Sequence, residues 1–408
     1  MINKNSIAFV FALFVGVGKN IPFPMLFPFG IAPIEWFIVF FLIYQTLMIK
    51  SNKIYFYWNN HLKNIFILIV SLTSFMFISY VVNIFYFHGE IKDMFEIVRY
   101  LLSGYLILIL LYMNKYYESL LKGFVTGVII SVFLGFLAPN NPSVDIGDFS
   151  IPQIFNPNVL GIIIGFTVFI IVLLELHRHN KKNLFIVMLL VLLSAFTFSK
   201  ASWLIVSFGL VSYSLVLFSN NEIKKRYLIL FVFVLLILLW YFGIISYLVD
   251  LIMWKLRATS FESSAVEGGT FSARSGLILS GIYMFFDNPI FGIGISNFEY
   301  YHYQNETILG DKFFEDDNPN SAFIYILACG GLLPFIVWCF IVLYSIYLVY
   351  KLFRNHFGIV FSIIQVFLFS FVIVLSGFVQ NEILNAYFYW FFIALLIINT
   401  NLKKVSVV

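Results

Sequence analysis

Charged side chains are scarce in this chain of 408 residues, in which Lys, Arg, Asp and Glu together make up only 11%. By contrast, 62% of the residues are hydrophobic and 20% are aromatic. A soluble domain of this composition would expose large apolar patches to water. The shortage of charge therefore excludes a soluble globular protein and indicates a chain that crosses a lipid bilayer several times.

Cysteine and the common ligand-binding motifs are almost absent. The two cysteines, Cys329 and Cys339, fall in one apolar segment, so neither a disulfide framework nor a thiolate metal site is indicated. No His-Glu-x-x-His sequence occurs. The stretch GIGISNF, residues 292–298, lacks the preceding strand and the third glycine of a dinucleotide site, so a tight turn after Pro289 is the better interpretation. We expect no metal, cofactor or nucleic acid to bind.

Apolar runs bounded by charged or Pro/Asn-rich breaks predict an all-α, polytopic membrane protein that forms a single integral-membrane domain over residues 1–408. The N-terminal run has no signal-peptidase cleavage site after it, so it is taken as a retained helix. About twelve spans are predicted, at residues 6–18, 31–49, 65–87, 97–113, 120–138, 158–175, 184–199, 201–218, 228–248, 321–350, 358–379 and 384–399.

Basic residues divide unequally between the two sides when these spans alternate across the membrane. With both termini in the cytoplasm, only Glu118, Glu175 and Glu222 of the 20 acidic residues are cytoplasmic, which agrees with the positive-inside rule. The same side collects 16 of the 24 basic residues: Lys4, Lys50, Lys53, Lys63, Lys115, Lys122, Arg178, Lys181, Lys182, Lys224, Lys225, Arg226, Lys351, Arg354, Lys403 and Lys404.

This topology leaves one long connection, residues 250–319, on the outer face. Long connections between membrane helices are usually functional or disordered, and the aromatic residues Trp254, Phe261 and Phe271 favour a folded loop. Inside it, an apolar helix from Ser275 to Phe286 would cover less than about 20 Å, too short for a hydrocarbon core of about 30 Å. We expect an interfacial or re-entrant helix at the membrane surface.

Three cations near the predicted outer face are candidates for binding an anion. Lys200 lies between two apolar runs, Arg274 precedes the interfacial helix, and Arg99 lies at the outer end of the fourth span. The guanidinium fork of arginine suits bidentate phosphate contacts. The alternatives remain open: a snorkelling lysine, a headgroup anchor at Arg274, and a structural pair of Arg99 with Glu96 or Glu35.

Charge is unevenly spread along the outer loop. The basic residues Lys255, Arg257 and Arg274 come early, whereas the late part is acidic apart from Lys312. An active site that holds an anion at one end and a hydroxyl-bearing acceptor at the other would have this pattern, and so would a solvated loop. The late polar residues considered for catalysis or sugar binding are His302, Glu306, Asp311, Glu315, Asp316, Asp317 and Asn320.

Three stretches, TFSKASW, ARSGLILSGIYMFFDNPIFGIGISNF and DNPNSAFIYILACGGLLPFIVW, together resemble the O-antigen polymerase and O-antigen ligase superfamily. Its members carry a Thr-x-Ser-Arg-Gly motif, then an arginine, a helix and a turn containing Pro, Gly and Gly, and finally a His-Asn-x-x-Leu motif that opens a helix. The positions here that match are Arg274, Pro289, Gly292, Gly294, Asn320, Phe323 and Gly330.

Two positions depart from the motifs of the family. Lys200 replaces the usual arginine, which keeps the charge but loses the bidentate fork. Pro319 replaces the histidine that ligases carry, which favours the polymerase (Wzy) branch and leaves the general base unassigned.

The resemblance implies an architecture like that of the GT-C glycosyltransferases and a metal-independent glycosyl transfer at the outer face of the cytoplasmic membrane. Donor and acceptor would be glycans linked to polyprenyl (undecaprenyl) diphosphate, and the product an O-antigen, lipopolysaccharide or capsular-type polysaccharide. Arg274, Lys200, Asp317 and Asn320 are the expected catalytic residues. The expected substrate-binding residues are Arg99, Lys255, Arg257, His302, Glu306, Glu315 and Asp316.

The partners implied by the resemblance are the lipid bilayer, a chain-length regulator and a flippase of the same pathway. Three other functions stay open: an O-antigen ligase, a polysaccharide flippase and a secondary transporter. A flippase is expected to have short loops and charged residues that line a central cavity. A transporter is expected to have interrupted helices in two corresponding halves of the chain.

Overall fold

The computed structural model describes residues 4–17, 33–49, 60–84, 91–136, 143–146, 149–152, 157–176, 181–195, 197, 200–219, 270–295, 297–298, 321–379 and 387–402. The helices of these ranges are α1 (Lys4–Val17), α2 (Pro33–Ile49), α3 (Asn60–Ile84), α4 (Ile91–Tyr112), α5 (Tyr117–Phe136), α6 (Pro157–Glu175), α7 (Lys181–Ala195), α8 (Lys200–Ser219), α9 (Thr270–Asp287), α10 (Ala322–Tyr325), α11 (Leu332–Phe357), α12 (Ile359–Val379) and α13 (Tyr387–Leu402). A 3₁₀ turn, Asn114–Tyr116, precedes α5, and a π-helical turn, Ile326–Gly330, follows α10.

Helices lie at every predicted span that falls within the described residues, and the span predicted at 228–248 lies outside them. Two boundaries differ by six residues or more. Helix α4 begins at Ile91, six residues before the predicted start, because its polar first turns still form a helix. Helix α11 continues past Lys351 and Arg354 to Phe357, since charged side chains do not end a helix; Gly358, with φ of 89°, ends it.

Five of the described helices are long and apolar enough to cross a membrane: Asn60–Ile84, Tyr117–Gly135, Ser202–Ser219, Leu332–Phe357 and Ile359–Gly377. Six further apolar helices are shorter. Large apolar side chains such as Phe40, Val360 and Phe367 point outward, as expected where the solvent is lipid. The number of spans remains a prediction.

Helix α13 forms the centre of the bundle, because every side chain from Tyr387 to Asn399 is buried. It contacts α4, α6 and α11. Helices α1 and α5 pack closely, because Gly123 and Gly127 let the two main chains approach until a Cβ at either position would overlap a carbonyl of α1. Small residues four apart are a common device for packing helices in lipid.

Side-chain contacts join the helix ends that the predicted alternation places on one side. On the predicted outer side, Arg99 of α4 bonds Glu35 of α2. On the predicted inner side, His61 of α3 bonds Tyr344 and Lys351 of α11. Two further contacts join predicted inner ends: Asn183 with Glu175, and Asn399 with Tyr117. The contacts agree with the relative alternation of these helices; they leave open which side faces outward.

Three local features differ from or add to the expectation. The stretch between α5 and α6 contains an antiparallel hairpin of β1 (Ser143–Ile146) and β2 (Phe149–Pro152), in register Ser143 to Pro152. Helix α9 begins at Thr270, so the prediction that Arg274 precedes the helix is wrong and Arg274 lies in its second turn. The predicted continuous span 321–350 is interrupted between Tyr325 and Leu332, where the chain passes through the π-helical turn and Gly331, with φ of 81°.

Candidate functional site

The turn after α9 is present as predicted. Helix α9 ends at Asp287, and a run of turns carries the chain to Gly294, with φ of 62° at Gly292 and 90° at Gly294. Left-handed backbone of this kind favours glycine. The amide of Gly292 donates to the carbonyl of Asn288 at 2.9 Å and closes the turn.

This turn is bonded to the interruption between α10 and α11. The amide of Ile293 donates to the carbonyl of Ala328 at 2.9 Å, and the amide of Gly294 donates to the carbonyl of Cys329 at 2.9 Å. In return, the amide of Leu332 donates to the carbonyl of Pro289 at 2.9 Å. Residues 289–294 and 326–332, with these mutual main-chain bonds, are called the glycine joint below.

The interrupted helix of the joint lies within the predicted membrane span 321–350. A helix that breaks at membrane depth frees carbonyl groups, and lipid offers no donor to satisfy them. Here the turn supplies the donors for Ala328 and Cys329, while the amide of Gly331 donates to the carbonyl of Leu327 at 3.1 Å. Side chains cannot enter this contact, because a Cβ at Gly292 would overlap the main chain of Ala328 and Cys329.

Helix α3 closes the joint with two buried polar side chains. Ser79 Oγ donates to the carbonyl oxygens of Phe291 and of Cys329, the second at 3.0 Å. Asn83 Nδ2 donates to the carbonyl of Ser79 at 2.8 Å and lies 3.4 Å from the carbonyl oxygen of Phe291. Sequence reasoning missed both residues, although two polar side chains four apart on an apolar helix form one face and were a usable signal.

The start of α10 adjoins the candidate residue Asn320. Ser321 caps this helix, and its side chain accepts from the amide of Ile324. Two of the motif residues pack closely against neighbouring helices or residues: the ring of Phe323 lies against Gly377, and Gly330 lies against the side chains of Met76 and Pro334. The structure therefore fixes the chain that follows Asn320, whose own placement lies outside the described residues.

Thr197, the first residue of the Thr-x-Ser motif, lies in a turn after α7. The carbonyl of Ser194 accepts three bonds, from the amide of Thr197 at 3.1 Å, from Thr197 Oγ1 at 2.7 Å and from Trp203 Nε1 at 2.9 Å. Thr197 is buried. These bonds fix the main chain where Lys200 begins α8; the side chain of Lys200 lies outside the described part of the structure.

Arg99 forms an ion pair. Its Nε donates to Glu35 Oε1 at 2.9 Å, and the hydroxyl of Tyr387 donates to the same oxygen at 2.8 Å. The side chain of Glu35 is 5% exposed and that of Arg99 is 20% exposed, so the pair is largely shielded from solvent. Of the two structural partners considered for Arg99, the structure shows Glu35. These three residues are called the ion-pair cluster below.

A comparison with protein families gives a match to the O-antigen ligase family over residues 184–339. Over these residues the match confirms the resemblance to the O-antigen ligase/polymerase superfamily. It runs from α7 through the glycine joint into α11 and leaves out α3 and α4. A comparison with curated proteins gives no match. The apolar helices and the family match together indicate a multi-pass membrane protein, and the matched family has a general role related to polysaccharides.

Most of the residues that the resemblance implies for catalysis or substrate binding lie outside the described residues. These are Lys255, Arg257, His302, Glu306, Asp311, Glu315, Asp316, Asp317 and Asn320. Arg274 belongs to helix α9, but its side chain is not described, so its convergence with Lys200 remains a prediction. Within the described ranges, no three His, Cys, Asp or Glu residues form a group that could hold a metal ion.

Proposed function

We propose that this chain polymerises oligosaccharide repeat units linked to polyprenyl diphosphate, at the outer face of the cytoplasmic membrane. The observation that carries the proposal is the O-antigen ligase family match over residues 184–339. Within this superfamily, Pro319 in place of the ligase histidine favours polymerisation over transfer to a lipid core.

The reaction forms one glycosidic bond and breaks one glycosyl phosphate bond. The hydroxyl of the acceptor sugar attacks the anomeric carbon of the donor, and polyprenyl diphosphate leaves with the bonding electron pair. Arg274 and Lys200 would bind the departing diphosphate and stabilise its growing charge. The hydroxyl proton passes to a carboxylate of the late acidic stretch, for which Asp317 is the candidate, or to the departing diphosphate.

The glycine joint supports this arrangement. It ties the end of α9, the helix that carries Arg274, to the segment that follows Asn320. Alignment of two lipid-held substrates supplies much of the rate in such a transfer, so a rigid connection between the two candidate regions is useful.

The joint also counts against a secondary transporter. Interrupted helices of transporters expose carbonyl oxygens to an ion. In the described residues the carbonyls of Leu327, Ala328 and Cys329 each accept a bond from the protein itself. An interrupted helix of this kind is a structural connection and offers no ready cation cage.

The glycan profile of a strain that lacks the gene tests the proposal. Glycans of a single repeat unit are expected if the chain is a polymerase, whereas long polymer retained on the polyprenyl carrier would show a ligase.

Complementation with Arg274→Ala should fail at normal protein level, and Arg274→Lys should restore little, because a point charge cannot make two parallel hydrogen bonds. Lys200→Arg should complement. Full activity of Arg274→Ala would leave Arg274 as a headgroup anchor.

The proposed orientation has its own test. A cysteine at Glu306 should react with a membrane-impermeant maleimide added from outside, whereas one at Lys225 should not react. The reverse labelling would overturn the outer-face chemistry.

A further inference from the structure

Ser79 has an unusual hydrogen-bonding role for a buried serine of a membrane helix. Such hydroxyls commonly donate to a carbonyl of their own helix, as Thr73 Oγ1 does to the carbonyl of Ile69 at 2.8 Å on the same helix α3. Ser79 instead donates away from α3, to Phe291 of the turn and to Cys329 of the interruption. Its single proton is shared between the two halves of the glycine joint.

Asn83, one turn further along α3, supports the same contact. Its Nδ2 donates to the carbonyl of Ser79 and lies 3.4 Å from Ser79 Oγ and from the carbonyl oxygen of Phe291. It also limits the space beside the turn, because a Cβ at Gly294 would lie 2.9 Å from Asn83 Cβ. Both side chains are buried, with 0% exposure at Ser79 and 4% at Asn83.

The segments held by Ser79 lead to the two candidate regions of the site. Upstream of Phe291 runs α9 with Arg274, and upstream of Cys329 runs α10, which begins at Ala322, two residues after Asn320. Helix α3 lies outside the range of the family match, so the match itself assigns no role to either residue. A rotation of the turn against the interruption would move the two candidate regions relative to each other.

We propose that Ser79 and Asn83 are positioning residues of the glycosyl transfer: they hold α9 and α10 in the relative placement that aligns donor and acceptor. The inference rests on the proposed function. Misplacement of reacting groups by about 1 Å is enough to slow a reaction about a hundredfold. Loss of the Ser79 hydroxyl should therefore act on the rate of transfer more than on the binding of either substrate.

Kinetics of the purified full chain in nanodiscs, with a lipid-linked repeat unit as substrate, provide the first measurement. Ser79→Ala should lower kcat about tenfold or more and change KM less than about threefold. Ser79→Thr, which keeps the hydroxyl, should recover kcat to within about threefold of the parent. Ser74→Ala is the matched control, because Ser74 lies exposed on the same helix.

Asn83→Leu provides a second variant in case Ser79→Ala does not fold, because Leu has the same number and branching of side-chain heavy atoms as Asn and lacks the donor. Its kcat should fall about threefold to tenfold, less than for Ser79→Ala, since its bond to Phe291 is long. If Ser79→Ala does not fold, Asn83→Leu alone decides. A kcat of Asn83→Leu equal to that of the parent would overturn the proposal.

A distance measurement tests the geometry without activity. Spin labels at Tyr283 of α9 and Phe340 of α11, both exposed, report the relative placement of the two sides of the joint. Ser79→Ala should broaden the distance distribution, and Ser74→Ala should leave it unchanged. If the parent chain had no polymerising activity, that result would refute only the proposed function. The distance distributions would then test by themselves whether Ser79 holds the two sides of the joint. An unchanged distribution, or a Ser79→Ala chain with parental kcat, would refute the positioning role.

Discussion

The glycine joint and the ion-pair cluster hold helix ends together by opposite means. The joint uses neutral main-chain groups, supplemented by Ser79 and Asn83. The cluster uses two charges and a phenol, carried by three helices that are distant in sequence. A main-chain contact tolerates almost no side-chain volume, whereas a buried ion pair tolerates changes of size but not the loss of one partner. The two regions should therefore fail under different substitutions.

The largest effect is expected when the cluster loses its carboxylate. Glu35→Leu leaves Arg99 shielded without its anion, which should lower the free energy of unfolding by about 3 kcal/mol. The double variant Glu35→Leu with Arg99→Leu should recover most of this loss, because an apolar pair can replace a buried ion pair. Unfolding in mixed SDS micelles measures both.

Glu118→Leu is the matched control for that experiment. Glu118 pairs with Lys122 at 3.5 Å, and both side chains are more than half exposed, so the loss should stay below about 0.5 kcal/mol. Equal losses for Glu35→Leu and Glu118→Leu would show that shielding adds nothing to the cluster.

One added methyl group, at Gly292, should destabilise the glycine joint. Gly292→Ala places a Cβ against the main chain of Ala328 and Cys329 in a left-handed conformation, with an expected loss of about 2 to 3 kcal/mol. Gly358→Ala provides the control: its φ is 89°, yet nothing lies within 4 Å of a Cβ there, so only the strain of about 1 kcal/mol remains. Thermal unfolding of the two variants compares them; similar midpoints would remove the steric argument.

Sequence patterns anticipated the joint in part and the cluster hardly at all. The glycines of the turn lie in a short motif that predicted a tight turn after Pro289, and Gly330 lies in the last motif of the family resemblance. The bonds between the turn and the interrupted helix were not predictable, because periodicity reports which face of a helix is apolar and not which distant main-chain groups pair. Glu35 was one of two candidate partners for Arg99, and Tyr387 was not considered, since no spacing rule connects α2, α4 and α13.

The helix positions were predictable for a physical reason. A bilayer demands about 20 apolar residues per crossing, and this demand appears directly as an apolar run. The helix breaks at Gly331, but the apolar run in the sequence does not, because Leu332, Leu333 and Pro334 continue it. Hydropathy therefore predicted one continuous span at 321–350 where the chain forms two helices.

Removal of the Tyr387 hydroxyl separates its contribution to the stability of the ion-pair cluster from that of Arg99. Tyr387→Phe deletes a donor to Glu35 Oε1 and leaves the ion pair, so the loss should be about 1.5 kcal/mol. Tyr283→Phe, at an exposed position of α9, should be neutral. Unfolding in SDS micelles resolves the difference, and a loss as large as that of Glu35→Leu would mean that the phenol, and not Arg99, anchors the carboxylate.

The smallest effect is expected at the turn before α8. Thr197→Val keeps the shape of the side chain and removes one of three donors to the carbonyl of Ser194, so the loss should be about 0.5 to 1 kcal/mol. Trp203→Phe removes another donor to the same carbonyl and provides the companion measurement. Additive losses in the double variant would contradict the view that the two donors share one acceptor.

Reconstitution tests the proposed function most directly. Purified chain in liposomes would be supplied with a single lipid-linked repeat unit and no other glycan acceptor, and the products separated by size. The account predicts a ladder of polymers that remain on the polyprenyl carrier, abolished by Arg274→Ala. The absence of a ladder would contradict it. In a second reaction supplied with preformed lipid-linked polymer and a lipid core, transfer of that polymer to the core would show a ligase instead.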